Sequence, residues 1–302
     1  MLYSVNFEKL LRDLKDVAHW YEAQLGIPVR ESRLEKIISL IQKTEDARKN
    51  SKIQEFVNQE GMEGLYIPIY DAGAFPIIKE AFGEFKLGVL KKRDLEEIIK
   101  GPLNPSDEEI GTGEVTPRNK LFELFLAALV QKAGIDVIGF DDIKIKLNSR
   151  NIFIECKRLG SKSKDRMKNN LIEASKQINQ KIINSNNKKS RGIIALSIEK
   201  LFPFYGQLDN LQKREDGSKF LKGEMHEWLM KNLDFLWRSI PDRRIIGLIV
   251  FSRYLAMDTS SNYITAFNNT IFASRRAKKL LFGDKNLVET FSNKMYLGIE
   301  GF

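Results

Sequence analysis

Glu155 and Lys157 stand two residues apart in an alternating run that reaches from Ile152 to Lys157, and Asp142 opens a second such run that ends at Leu147. Along a strand, residues two apart share a face. Glu155 and Lys157 therefore project together, while Ile152, Ile154 and Cys156 turn the other way. Carboxylate oxygens are the donors that a hard divalent ion such as Mg²⁺ prefers, and such an ion keeps several of its waters. An ammonium nearby can orient a metal-bound water and steady the negative charge that develops on a phosphate. In outline, this is metal-dependent hydrolysis of a phosphodiester.

The elements that would position these groups are a hairpin and its flanking helices. Asn148 to Asn151 supplies turn chemistry, since short polar side chains bond their own backbone and tolerate left-handed conformations. Matching the apolar faces sets Leu147 against Ile152, Ile145 against Ile154 and Ile143 against Cys156. That register places Lys144 opposite Glu155 and Asp142 opposite Lys157. Asp141 then falls on the apolar face, which leaves Asp142 as the metal-binding acid.

Upstream, Pro117 suits the first turn of a helix that Thr116 can cap. Its stripe is Leu121, Phe122, Phe125, Leu126, Leu129 and Val130, with Glu123 beside it and a stop at Gly134. Downstream, Met167, Leu171, Ala174, Ile178 and Ile182 mark a helix over about 165–183, with Gln177 half-facing the core. The continuous apolar runs Arg191–Ile198 and Arg244–Phe251 read as strands covered on both faces. Strands alternating with helices argue for a mixed α/β sheet.

This ordered set resembles the PD-(D/E)XK nuclease superfamily. Asp142 matches the strand acid, Glu155-Cys156-Lys157 matches Glu-x-Lys, and Asp141 stands where the family often has proline. The helix with Glu123 resembles the one that brings in a further acid, and Ala174–Ile178 resembles the one that often carries a glutamine, here Gln177. The likeness covers about residues 114–200 and extends more weakly to 252. It implies a restriction-endonuclease-like fold with Asp142, Glu155 and the main-chain carbonyl of Cys156 on Mg²⁺, or on Mn²⁺ in its place. It also implies catalytic roles for Lys157, Glu123 and Gln177, and a setting in bacterial restriction, repair or phage defence.

Composition agrees with a nucleic-acid substrate. The 302 residues are 42% hydrophobic and 29% charged, ordinary for a globular protein, with a net charge of +9. From Lys157 to Arg191 there are eleven basic residues against two acids, a surplus equal to that of the whole chain. Arg158, Lys162, Lys164 and Lys168 are the candidate phosphate contacts, since each neutralised phosphate releases counterions. The competing explanation for such a cluster is a solvated helix face. One cysteine leaves no internal disulfide, and with only two histidines it cannot build a tetrahedral zinc site without carboxylates. No run is long and apolar enough for a membrane span, and the start lacks a secretory pattern, so a cytoplasmic protein is expected.

The first hundred residues read as helices at about Asn6–Leu25, from Ser32 through the polar stretch Gln42–Lys52 toward Val57, at about 75–82, and at Arg93–Lys100. Tyr66–Tyr70 reads as a short extended piece. The breaker cluster Gly101–Gly113 marks a boundary. The expectation is a mainly helical domain over 1–105 and a nuclease-like domain over 106–302. The helical part could bind nucleic acid or a protein partner, or simply cap the core, and a homodimer is the default assembly. A rival reading is a non-catalytic nucleic-acid-binding or regulatory subunit with a nuclease-like fold, active only inside a larger complex.

Overall fold

The computed structural model describes residues 2–4, 6–83, 90–104, 116–140, 143–201, 214–258 and 263–300. Asp141, Asp142 and most of the breaker cluster lie outside them. The chain is α/β, and its described residues form a seven-stranded mixed sheet in the order β1-β7-β6-β5-β4-β3-β2. The strands are β1 (Leu2–Ser4), β2 (Asp136–Gly139), β3 (Ile143–Leu147), β4 (Arg150–Arg158), β5 (Arg191–Ser197), β6 (Ile245–Asp258) and β7 (Tyr263–Ser274). β4, β5 and β6 run parallel at the centre, and the other pairings are antiparallel.

The helical first third begins as expected. Asn6 caps α1 (Phe7–His19), which continues in a π-helical turn, and Ser32 caps α2 (Arg33–Lys49) through the amide of Glu35. The polar stretch does not run on, because the backbone breaks at Ser51, where φ is 55°. A new helix, α3 (Ile53–Phe82), bends at Gly61, whose φ of 74° suits glycine. Tyr66–Tyr70 is therefore helical and not extended. Leu65, Ile69, Ala72, Phe75, Ile78 and Phe82 are all buried at helical spacing, and that burial outweighs the break suggested by Pro68. α4 (Lys92–Ile98) follows.

α5 (Thr116–Lys132) is buried around its whole circumference from Leu121 to Val130, and Glu123 is the one charged residue in that stretch. It lies in one core with α1, α2, α3, α8 (Asp284–Glu300) and the sheet face that carries Ile143, Ile145, Ile152 and Ile154. The helical third thus shares its core with the sheet, and β1 joins the sheet edge at β7. On the opposite face, α6 (Lys164–Asn184) and α7 (Arg214–Arg238) cover Phe153, Ile194, Leu196, Leu248 and Val250. Coverage on both sides explains the unbroken apolar run of β5. Gly192 has no room for a side chain because Ile178 of α6 rests directly on it, which seats α6 close against the sheet.

Buried ion pairs fasten the helical third to the rest. Asp71 of α3 meets Arg33 of α2 at 3.1 Å, Arg118 of α5 at 3.3 Å and Arg253 of β6 at 3.7 Å. Arg253 also binds Glu199, which accepts from Ser197 at 3.1 Å.

The hairpin departs from the expected register by two residues. Asn148 and Ser149 alone make the turn, both with positive φ (48° and 61°), the conformation that suits a two-residue hairpin. Arg150 and Asn151 therefore join the strand, and the pairs are Ile143 with Ile154, Ile145 with Ile152 and Leu147 with Arg150. A shift of two keeps every side chain on its expected face. It does move Lys144 from Glu155 to Phe153, where its Nζ lies 5.7 Å from the ring centroid. The stretch 136–147 is not one strand but two, β2 and β3, paired with each other.

Candidate active site

β4 presents Glu155 and Lys157 on the face covered by α6, and α6 returns three side chains toward them from successive turns. Glu173, Gln177 and Lys181 lie four residues apart, beside the buried stripe Leu171, Ala174, Ile178 and Ile182. Lys157 Nζ donates to Gln177 Oε1 at 2.8 Å and to Glu173 Oε1 at 3.0 Å, and stands 3.2 Å from Glu155 Oε1. An ammonium has three donors, so these three acceptors fix its direction. Lys181 Nζ donates to the other oxygen of Glu155, Oε2, also at 3.2 Å.

Burial pushes the Glu155 carboxyl above its ordinary range. The ion pair with Lys157 opposes this, and the negative charges of Glu123 and Glu173 reinforce it. Glu123 behaves alike, raised mainly by burial, opposed by Lys120 at 3.0 Å and by the charge of Lys181, and reinforced by Asp94. Glu123 is thus a buried acid of α5 that is electrostatically coupled to Glu155, and not a solvated helix residue. Cys156 turns to the apolar face, and its thiol is held well above its usual value by burial and then by Glu123 and Glu155. A neutral thiol there is neither nucleophile nor thiolate ligand. Its backbone pairs with Ala195.

The four expected phosphate contacts divide. Lys162, Lys164 and Lys168 are exposed on the loop and first turns of α6, with Lys164 over Phe235 at 5.8 Å. Arg158 is half-buried, donates to Asn119 of α5 at 3.4 Å, and lines a crevice with Asp71, Arg118 and Arg253. Other members of the basic segment are committed elsewhere: Lys181 to Glu155, and the buried Arg191 to Asp284 at 2.7 Å.

Among the described residues no group of three or more His, Cys, Asp or Glu is placed to hold a metal ion. Asp142, the third acid expected from sequence, lies outside them. The donors present nevertheless suit Mg²⁺, which usually needs only one or two carboxylates besides water. Glu155 and Glu123 offer hard oxygens and repel each other, and a divalent cation relieves both the repulsion and the cost of burial. Glu173, Lys181, Lys120 and Asp94 were not foreseen as site residues. The four-residue spacing of Glu173 and Lys181 about Gln177 was the available signal. No family model, curated protein or solved structure matches this chain.

Proposed function

We propose that this protein is a metal-dependent nuclease of the PD-(D/E)XK type that hydrolyses phosphodiester bonds, with DNA as its substrate. The observation that carries this reading is the Glu155 and Lys157 pair on β4, with the Lys157 ammonium aimed by Gln177 and Glu173 and a second buried acid, Glu123, coupled to it. A mixed sheet with α5 before the hairpin and α6 after it supports the restriction-endonuclease-like arrangement.

Glu155 would hold Mg²⁺ with help from Glu123, and Asp142 joins them on its sequence alone. When bound, the ion supplies a polarised water and positive charge at the scissile phosphate. Once Glu155 turns to the ion, the Lys157 donor that it accepts in the free protein would point at the attacking water or at a phosphate oxygen. Gln177 and Glu173 hold that donor in place without contacting the substrate. The exposed Lys162, Lys164 and Lys168 would track the phosphate backbone, contributing affinity that is independent of sequence.

Purified protein incubated with supercoiled plasmid, linear duplex, single-stranded DNA and RNA, with Mg²⁺ and with excess chelator, tests the proposal. Nicking or linearisation of DNA in Mg²⁺ alone is expected. Binding without cleavage of any of the four would overturn it in favour of a non-catalytic nucleic-acid-binding protein.

A further inference from the structure

We propose that the turn before α8 binds unpaired nucleic-acid strand, with the Phe282 ring as the platform on which a base stacks and Lys278, Lys279 and Lys285 as the phosphate contacts around it. This rests on the nucleic-acid reading of the site and narrows the substrate class to DNA with a single-stranded stretch. Phe282 is fully exposed, whereas no other large apolar side chain among the described residues exceeds 62%. A lone exposed apolar residue is commonplace. What sets this one apart is the frame that holds it outward and the charge around it.

The turn is fixed from beneath. Asp284 donates its amide to Leu281 O at 3.1 Å, and its fully buried carboxylate meets Arg150 Nη1 and Arg191 Nε, each at 2.7 Å. Gly283 has a φ of 80° and lies so close to Arg150 that an added Cβ would stand 2.9 Å from Nη2. On the other side Leu280 packs against the core. Phe282 is thus held between anchored positions, and little ordering remains to be done when it meets a ligand. Charge complementarity names that ligand. Lys278, Lys279 and Lys285 are exposed, and Asp284, the one acid over residues 275–288, is neutralised by its two arginines. Glu289 stands 3.8 Å from Lys285 in an exposed pair, which binds weakly. Arg191 also donates to Lys188 O at 3.2 Å, which brings the loop after α6, with its exposed Lys188 and Lys189, to the same end of the sheet. α6 ends three residues after Lys181, a partner of Glu155, so this basic surface leads from the turn toward the site. A surface that only tracks phosphates needs no aromatic ring, whereas an unpaired strand offers base faces and phosphates together.

Fluorescence anisotropy of the full chain with labelled oligothymidine and with a labelled blunt duplex, both in excess chelator so that nothing is cut, tests this. Phe282→Ala should weaken oligothymidine binding about tenfold, the size expected for losing one base stack, and leave duplex binding unchanged. Phe282→Trp should keep the affinity, while Phe282→Leu, apolar but without a π-face, should behave like the alanine variant. None of the three should move the melting temperature, since the side chain is fully exposed. Joint replacement of Lys278 and Lys279 by alanine should instead lower the slope of log affinity against log salt by roughly 0.7 per phosphate contact on single strands, a slope that Phe282→Ala leaves alone. Unchanged oligothymidine affinity in Phe282→Ala, full affinity in Phe282→Leu, or an equal loss on the duplex overturns the stacking role. Capture by vesicles of phosphatidylcholine and phosphatidylserine that Phe282→Ala abolishes, with oligothymidine affinity unchanged, makes the turn a membrane contact instead. Absence of oligothymidine binding by wild type overturns the inference outright, and plasmid cleavage in Mg²⁺ by the same preparation then tells whether the nuclease reading falls with it.

Discussion

The network of Arg33, Asp71, Arg118, Arg253 and Glu199 and the cluster of Glu155, Lys157, Lys181 and Glu173 are both built of ion pairs, many near 3 Å, on opposite faces of the sheet. Every side chain of the first is less than a tenth exposed, and its members come from α2, α3, α5, β6 and the turn after β5. In the second, Lys157, Lys181 and Glu173 rise from 17% through 26% to 60% exposed while Glu155 stays at 6%, so a buried acid sits beneath groups that solvent and ligand can reach. Fully sealed charges can only hold elements together. A buried carboxylate beneath partly exposed partners is within reach of a ligand, and chemistry needs that access.

If this contrast is right, damage to the two clusters should separate. The largest effect is expected from Lys157→Met, which removes the aimed donor. Its single-turnover cleavage rate should fall on the order of 10²–10³-fold, as for loss of one preorganised donor, with DNA affinity and melting temperature nearly unchanged. Asp71→Ala should do the reverse. It removes the buried carboxylate that Arg33, Arg118 and Arg253 share, and urea unfolding should show a loss of about 3 kcal/mol. Whatever folded fraction remains should keep its cleavage rate.

A smaller effect concerns Glu123. Its raised carboxyl means that the folded protein holds the proton more tightly than the unfolded chain does. The stability from that proton is fully present below the ordinary carboxylate value and is lost as pH rises through the raised one. Glu123→Gln should flatten this part of the stability profile, measured as melting temperature against pH. The smallest effect belongs to Lys162, Lys164 and Lys168. Replacing all three with alanine should lower the slope of log affinity against log salt by roughly 0.9 per phosphate contact on duplex DNA and leave stability alone.

Much of the site was legible because strand and helix periods place side chains without knowledge of the fold. The parity of β4 put Glu155 and Lys157 on one face and Cys156 on the other, and the stripe of α6 from Met167 to Ile182 is buried throughout. The turn between β3 and β4 was not legible, because Asn148–Asn151 is polar throughout and only the left-handed backbone at Asn148 and Ser149 selects the shorter loop. Lys181 and Glu173 looked like members of a solvated charge run, since helical spacing shows which residues are neighbours but not what faces them across a sheet. α8 went unread behind the basic cluster Arg275–Lys279, although Leu287, Val288, Phe291 and Met295 carry helical spacing. Its Asp284 is fully buried against Arg150 and Arg191. Arg275 of that basic cluster is itself buried over Trp237 at 4.8 Å, which removes it from any nucleic-acid surface.

The central claim is that Glu155 is the metal-binding carboxylate of a hydrolytic site, and the Mg²⁺-dependent cleavage rate of wild type and Glu155→Gln on one DNA substrate tests it most directly. Both proteins should be present at equal folded concentration. Wild type should cleave in Mg²⁺ and stop on chelation, while Glu155→Gln should bind the same DNA and leave it intact. Cleavage by Glu155→Gln at the wild-type rate would contradict the account.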